Sequence, residues 1–364
     1  MACLPGDCPS DFNWVVFSGK RPTPAKNIGM ITTFLEPSIS FARTTWFVAF
    51  GDKPHYVKAG LCRGQVKELG TASDAVNGAI KLANSTSKPT IVMADDLRQI
   101  YHVTGCSSTW ATAMGCRADV FTVTKAMLGA ARSVSASLCG LHCTTAVRNM
   151  LERHVMSLCS FIIGDFFLLV PPVRGRWNHE ACPKEDYAMS CDTLVKGQLT
   201  CRLNHYSIDC EHYQPGGDGP MHVKGDCKAV AFLNRKYPGV FRRKYGERGQ
   251  VIMYAGIKLL GEELREAVTH FTTIMERTQH TQSEIKQMMS RSSKVRSKAK
   301  SKKSHAPMML KVKERERKRR QRGRIVHAAG LMQRGRARMC QKVLSKSLRT
   351  AISRAKARLR ALLV

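Results

Sequence analysis

Residues 71–96 read TASDAVNGAIKLANSTSKPTIVMADD. In the first half Ala75, Val76, Ala79, Ile80 and Ala83 recur at helical spacing, and Thr71 or Ser73 stands where a cap belongs. Past Lys88 and Pro89 the pattern changes. TIVMA (90–94) is a contiguous apolar run that stops on two acids. A helix feeding a buried strand, with carboxylates at the strand's end, is the grammar of an α/β layer.

Working outward, NWVVF (13–17), TTWFVAF (44–50), HYVKAGL (55–61) and ADVFTV (118–123) also read as strands, being rich in β-branched and aromatic residues. Residues 125–160 read as helical, with Met127, Leu128 and Ala131 and then Val147, Met150, Leu151, Val155 and Leu158 on apolar faces. LCSFIIGDFFLLV (158–170) is the most apolar stretch. It is interrupted by Asp165 and stopped by Pro171 and Pro172, so it falls short of the ~20 residues of a spanning helix and reads as a buried strand pair or core helix. MACLPGDCPSDFNW lacks the basic and apolar regions of a secretory leader. An intracellular protein is expected, nuclear if its basic runs act as an address and otherwise cytoplasmic.

The expected fold is an α/β or α+β globular body with a long helix, followed by a disordered basic arm and a C-terminal basic amphipathic helix. The corresponding segments are an α/β domain over 1–160, a Cys/His-rich and loop-rich region over 161–255, an amphipathic helix over 256–289, and the arm over 290–364. In the third segment Leu260, Leu264, Ala267, Phe271, Ile274, Thr278, Thr281, Ile285 and Met288 alternate at spacings of four and three. That seam packs on its own body or on a second copy, making a homo-oligomer.

Charge separates the two ends of the chain. The whole sequence holds 59 Lys and Arg against 27 Asp and Glu. Positions 285–364 take 27 of those cations and only two of the acids, Glu314 and Glu316, for a net +25, which leaves +7 for positions 1–284. The densest run is KVKERERKRRQRGR (311–324). Such asymmetry points to a polyanion, which Lys and Arg bind by displacing the counterions on its phosphates. The residues expected to do so are Lys311, Lys313, Arg315, Arg317, Lys318, Arg319, Arg320, Arg322 and Arg324, then Arg334, Arg336, Arg338, Arg349, Arg354 and Arg358. Arginine predominates and its planar fork suits phosphates and exposed bases, which favours RNA over DNA. The arm contains no aromatic residue, so base stacking is not its mechanism. A globular body joined to a cationic arm is the architecture of nucleocapsid-like or RNA-packaging proteins. In KVLSKSLRTAISRAKARLRALLV (342–364), Leu344, Leu348, Ile352, Ala355, Leu359 and Leu362 form one stripe. An acidic partner or a membrane surface is the alternative reading of this helix, though no Trp or Phe is there to anchor it in lipid.

Two Cys/His groups are candidates for Zn2+. One is Cys201, His205, Cys210 and His212, in a segment rich in soft ligands; the other is Cys139, Cys143, His154 and Cys159, near two-plus-two zinc-finger spacing. Neither contains a C-x2-C pair. For catalysis, Asp95 and Asp96 end the strand quoted above, Asp52 follows WFVAFG, and Glu68 precedes the helix. Together they sketch a metal-binding acidic cluster similar to that of RNase H enzymes, which implies a metal-dependent nuclease as the rival reading. No Walker loop, G-x-G-x-x-G, H-E-x-x-H or G-x-S-x-G occurs.

Overall fold

The computed structural model describes residues 8–103, 117–142, 154–211, 222–243, 251–253 and 255–273. Two compact units divide the chain at Val268, and nearly all of the described residues belong to the first. The basic arm lies outside the described residues.

The first unit opens as a parallel α/β layer. Strand β1 (Asn13–Phe17), helix α1 (Pro24–Leu35), β2 (Thr44–Val48), α2 (Lys53–Lys58), β3 (Val66–Glu68), α3 (Ala72–Thr86) and β4 (Thr90–Ala94) alternate along the chain. β1 is flanked by β2 and β4, parallel to both, and β2 is parallel to β3, so the local order is β3-β2-β1-β4. Helix α3 forms where its sequence says it should. Thr71 caps it, its hydroxyl accepting from Asp74 N at 3.2 Å while the Asp74 carboxylate accepts from Thr71 N at 3.0 Å. Its apolar stripe, Ala75, Val76, Ala79, Ile80 and Ala83, packs on Val15, Phe47, Val92 and Phe167. The other sheet face receives α1, whose Phe34 meets Phe166 edge-on, and α2, whose Tyr56 lies 5.8 Å from Trp46.

Beyond β4 the sheet turns mixed. It has nine strands, with β8 (Phe166–Leu169) antiparallel to β4, β6 (Ala136–His142) antiparallel to β8, β9 (Leu199–Cys210) parallel to β6, and β5 (Leu97–His102) and β7 (Met156–Leu158) antiparallel to β9. Helix α4 (Val120–Val134) precedes β6, α5 (Glu185–Val195) precedes β9, and α6 (His222–Lys236) follows it; β10 (Phe241–Arg243) and β11 (Val251–Met253) pair separately. A single sheet therefore runs through the boundary expected at residue 160, because β8 and β9 lie after it and hydrogen-bond to β4 and β6, which lie before it.

Three local expectations are corrected. HYVKAGL is largely helix α2, started by Pro54 in its first turn. ADVFTV opens helix α4, because the Asp119 carboxylate accepts from Thr122 N at 2.7 Å and caps it. The helix expected over 125–160 ends at Val134, after which Ser135 takes φ 54° and the chain enters β6, buried on both faces, while residues 143–153 lie outside the described residues. LCSFIIGDFFLLV contributes to two strands, β7 and β8, that pair with other strands and not with each other.

Residues 262–273 are helical, with Leu264 and Val268 buried. The seam beyond residue 273 lies outside the described residues. Among the described residues, no helix is long and apolar enough to cross a membrane.

Candidate functional site

In the parallel half, the crossovers through α1 and α2 cover one face and the crossover through α3 covers the other. The chain reverses its winding between β1 and β4. The carboxyl ends of those strands are where open α/β sheets place their ligands, and the residues that follow them converge there.

Ser18 comes directly after β1, with Arg21 in the same loop; Asp95 and Asp96 come directly after β4. The Arg21 guanidinium grips both oxygens of Asp95, with Nε donating to Oδ2 at 2.8 Å. It also reaches Asp96 Oδ2 at 3.7 Å. Ser18 Oγ donates to the same Asp95 carboxylate and is hydrogen-bonded to Tyr56 Oη. Asn27 Nδ2, on the first turn of α1, donates to the Asp95 carbonyl at 3.2 Å. The network is deeply set: the Arg21 and Asp95 side chains are 10% and 2% exposed, and Tyr56 is fully buried.

Burial works against the Arg21 charge, but the Asp95 hydrogen bonds and the charges of Asp95 and Asp96 outweigh it and hold the guanidinium above its ordinary range. Burial pushes the Tyr56 phenol upward, further than the Ser18 hydrogen bond lowers it. An ion pair braced by a neutral phenol and a serine is thus built into the switch point. The pair and the serine tie the loop after β1 to the loop after β4.

The other two candidate acids have different tasks. Asp52 Oδ2 accepts from Lys20 N at 2.6 Å and joins the loop after β2 to the loop after β1. Glu68 Oε1 accepts from Gly51 N at 2.8 Å and Lys53 N at 3.2 Å, joining the end of β3 to the loop after β2. The structure brings Asp95 and Asp96 together around Arg21 and uses Asp52 and Glu68 as loop clamps. These four carboxylates do not form one ligand shell. Among the described residues, no group of three or more His, Cys, Asp and Glu is placed to hold a metal ion.

The first zinc set is spread along a strand. Cys201, His205 and Cys210 lie on the single strand β9. From Cys201 to Cys210 the strand covers about 30 Å, at ~3.3 Å per residue. No single ion spans that distance. His212 and Cys143 lie outside the described residues. Cys139 sits on β6 directly across from Cys201, both fully buried as small core residues, and burial raises the Cys139 thiol well above its usual range. Cys159 is buried as well and its thiol is pushed up to about 12.

Two features went unnoticed in the sequence. Asp165 reads there only as an interruption of an apolar run. In the fold its carbonyl accepts from Ala94 N at 2.8 Å, which brings the residue to the end of β4, next to Asp95. Cys210 stands close by, and its thiol is raised first by burial and then by Asp165, Asp96 and Asp209. The second feature is His102 on β5, stacked on Tyr206 of β9 with ring centroids 4.5 Å apart, its pKa lowered by burial and then by His205. No periodic signal links those residues, since only the β5–β9 register brings them together.

No protein-family model matches the chain, and no curated protein matches it significantly.

Proposed function

We propose that the protein binds nucleic acid, RNA in preference to DNA, by neutralising phosphates with its basic C-terminal arm, in an RNA-packaging role like that of a nucleocapsid. The observation that carries this reading is the placement of charge: a net +25 over positions 285–364, against +7 over positions 1–284. Such a segment binds phosphates through counterion release, largely without regard to sequence and with steep salt dependence. A nuclear address in the same run is compatible with this role.

The body supports the reading by what its acids do. A phosphodiester-cleaving metal site needs carboxylates free to take a cation. Asp95 is instead gripped by Arg21, and Asp52 and Glu68 are bound to loop N–H groups. The body is better suited to holding a shape than to cutting a strand.

Replacing every Lys and Arg of 311–324 by Gln in the full chain, and measuring affinity for single-stranded RNA across a salt series, tests the reading. At about −0.7 in log K against log salt per phosphate contact, the slope should fall by up to about 6. An unchanged slope would remove the arm from the binding site.

A further inference from the structure

Phe50 is one of four large apolar side chains exposed among the described residues, and at 76% the most exposed of them. It follows β2 on the carboxyl edge of the parallel strands. Leaving an aromatic ring in water forgoes the stabilisation that burying it would supply, yet this ring has a defined neighbour. It lies against Gly70, in the loop after β3, so closely that a Cβ at residue 70 would stand 2.9 Å from Phe50 Cε2. Gly70 also takes φ +93°, which side-chain-bearing residues avoid. The loop that carries Phe50 is fixed from both sides, by Asp52 on Lys20 N and by Glu68 on Gly51 N and Lys53 N. Two of the carboxylates that suggested a metal cluster, Asp52 and Glu68, therefore fix the loop that carries the exposed ring. Lys20 and Lys53 belong to the clamped segments, and both clamping acids are occupied with backbone groups.

We infer that Phe50 is a stacking platform for a nucleobase, at the ligand-binding edge of the α/β sheet. The inference rests on the nucleic-acid reading above and adds to it a contact that the aromatic-free arm does not supply. A flat ring seated against a glycine and otherwise largely open accepts the π-face of any base. The base comes from a single strand or from a free nucleotide.

The test uses the full chain as wild type, Phe50→Ala and Phe50→Tyr, at about 0.5 M salt, where the arm's electrostatic term is largely screened. Probes are an oligoadenylate RNA, AMP, and inorganic polyphosphate as a polyanion without bases. Phe50→Ala should weaken oligoadenylate or AMP binding by about 5- to 150-fold. Phe50→Tyr should keep it, and polyphosphate binding at low salt should be identical in all three. A loss confined to the oligonucleotide assigns the base to a strand; a loss that includes AMP assigns the platform to nucleotides in general. Equal binding of both base-containing probes by wild type and Phe50→Ala overturns the inference. So does a change in sedimentation of the free protein without a change in base binding, since that would make the ring a contact between copies. Failure of polyphosphate to bind even the wild type sinks the arm reading separately.

Discussion

Arg21→Ala should be among the most destabilising single substitutions in the parallel half of the sheet. The residue supplies the cation of an ion pair in which the partners are 10% and 2% exposed, and it donates to both oxygens of Asp95. Truncating it strands the Asp95 carboxylate in the protein interior, where the Ser18 hydroxyl, itself bonded to Tyr56, still donates to it. Breaking a buried pair from one side costs about 3–5 kcal/mol, which for a body of this size lowers Tm by about 6–20 °C. Adding Asp95→Asn removes the stranded charge. The double variant should therefore recover part of the loss, with a coupling of about 2–3 kcal/mol in a double-mutant cycle. Urea unfolding followed by tryptophan fluorescence reads this directly, because Trp14, Trp46 and Trp177 are all buried in this unit. Single variants within about 1 kcal/mol of wild type, with strictly additive effects, would refute the reasoning, since the pair would then be behaving as an exposed one.

Other consequences follow from the same geometry. Gly70→Ala should destabilise by about 1–3 kcal/mol, because a side chain there meets Phe50 and Asp74 at 2.9 Å and the backbone sits at φ +93°; a variant as stable as wild type in urea would contradict it. The Asp186 carboxyl is pushed up to about 7, first by burial and then by Glu185. The folded chain thus holds that proton more tightly than the unfolded chain does, a contribution fully present below about pH 4 and lost as pH rises through the folded value. Asp186→Asn should flatten that part of the decline between about pH 4 and about pH 7, and parallel pH profiles for the two proteins would argue against it. Asp95→Asn alone should leave RNA affinity within about twofold of wild type, because the arm and not this carboxylate carries the phosphate contacts; an anisotropy titration decides.

What was legible in the sequence was local. Helix α3 and strand β4 were readable because a capped helical stripe and a contiguous apolar run each satisfy a single period, and both are covered by the core that those periods imply. HYVKAGL and ADVFTV misled because β-branched and aromatic residues carry only a weak strand preference. The signals that win, Pro54 in the first turn of α2 and the Asp119 cap of α4, are single residues. Strand β6 was hidden for the opposite reason. ASLCGLH has little strand preference, and it is a strand because β8 and β9 pair with it on either side. Asp95 was legible as an acid at a strand end. Its partner Arg21 was not, since the two are far apart in the chain and only the crossover order joins them. The set of Cys201, His205 and Cys210 looked compact in sequence, but a strand rises too steeply to gather ligands that a loop would have brought together.

The central claim is that affinity for nucleic acid resides in positions 285–364 and is electrostatic. Its most direct test is the binding of one single-stranded RNA by the full chain and by a 1–284 truncation, from low to high salt. The full chain should show a steep negative slope of log K on log salt, and truncation should remove most of the low-salt affinity. Binding by the truncated chain as tight as that of the full chain, with a shallow slope, would contradict it and move recognition to the α/β body.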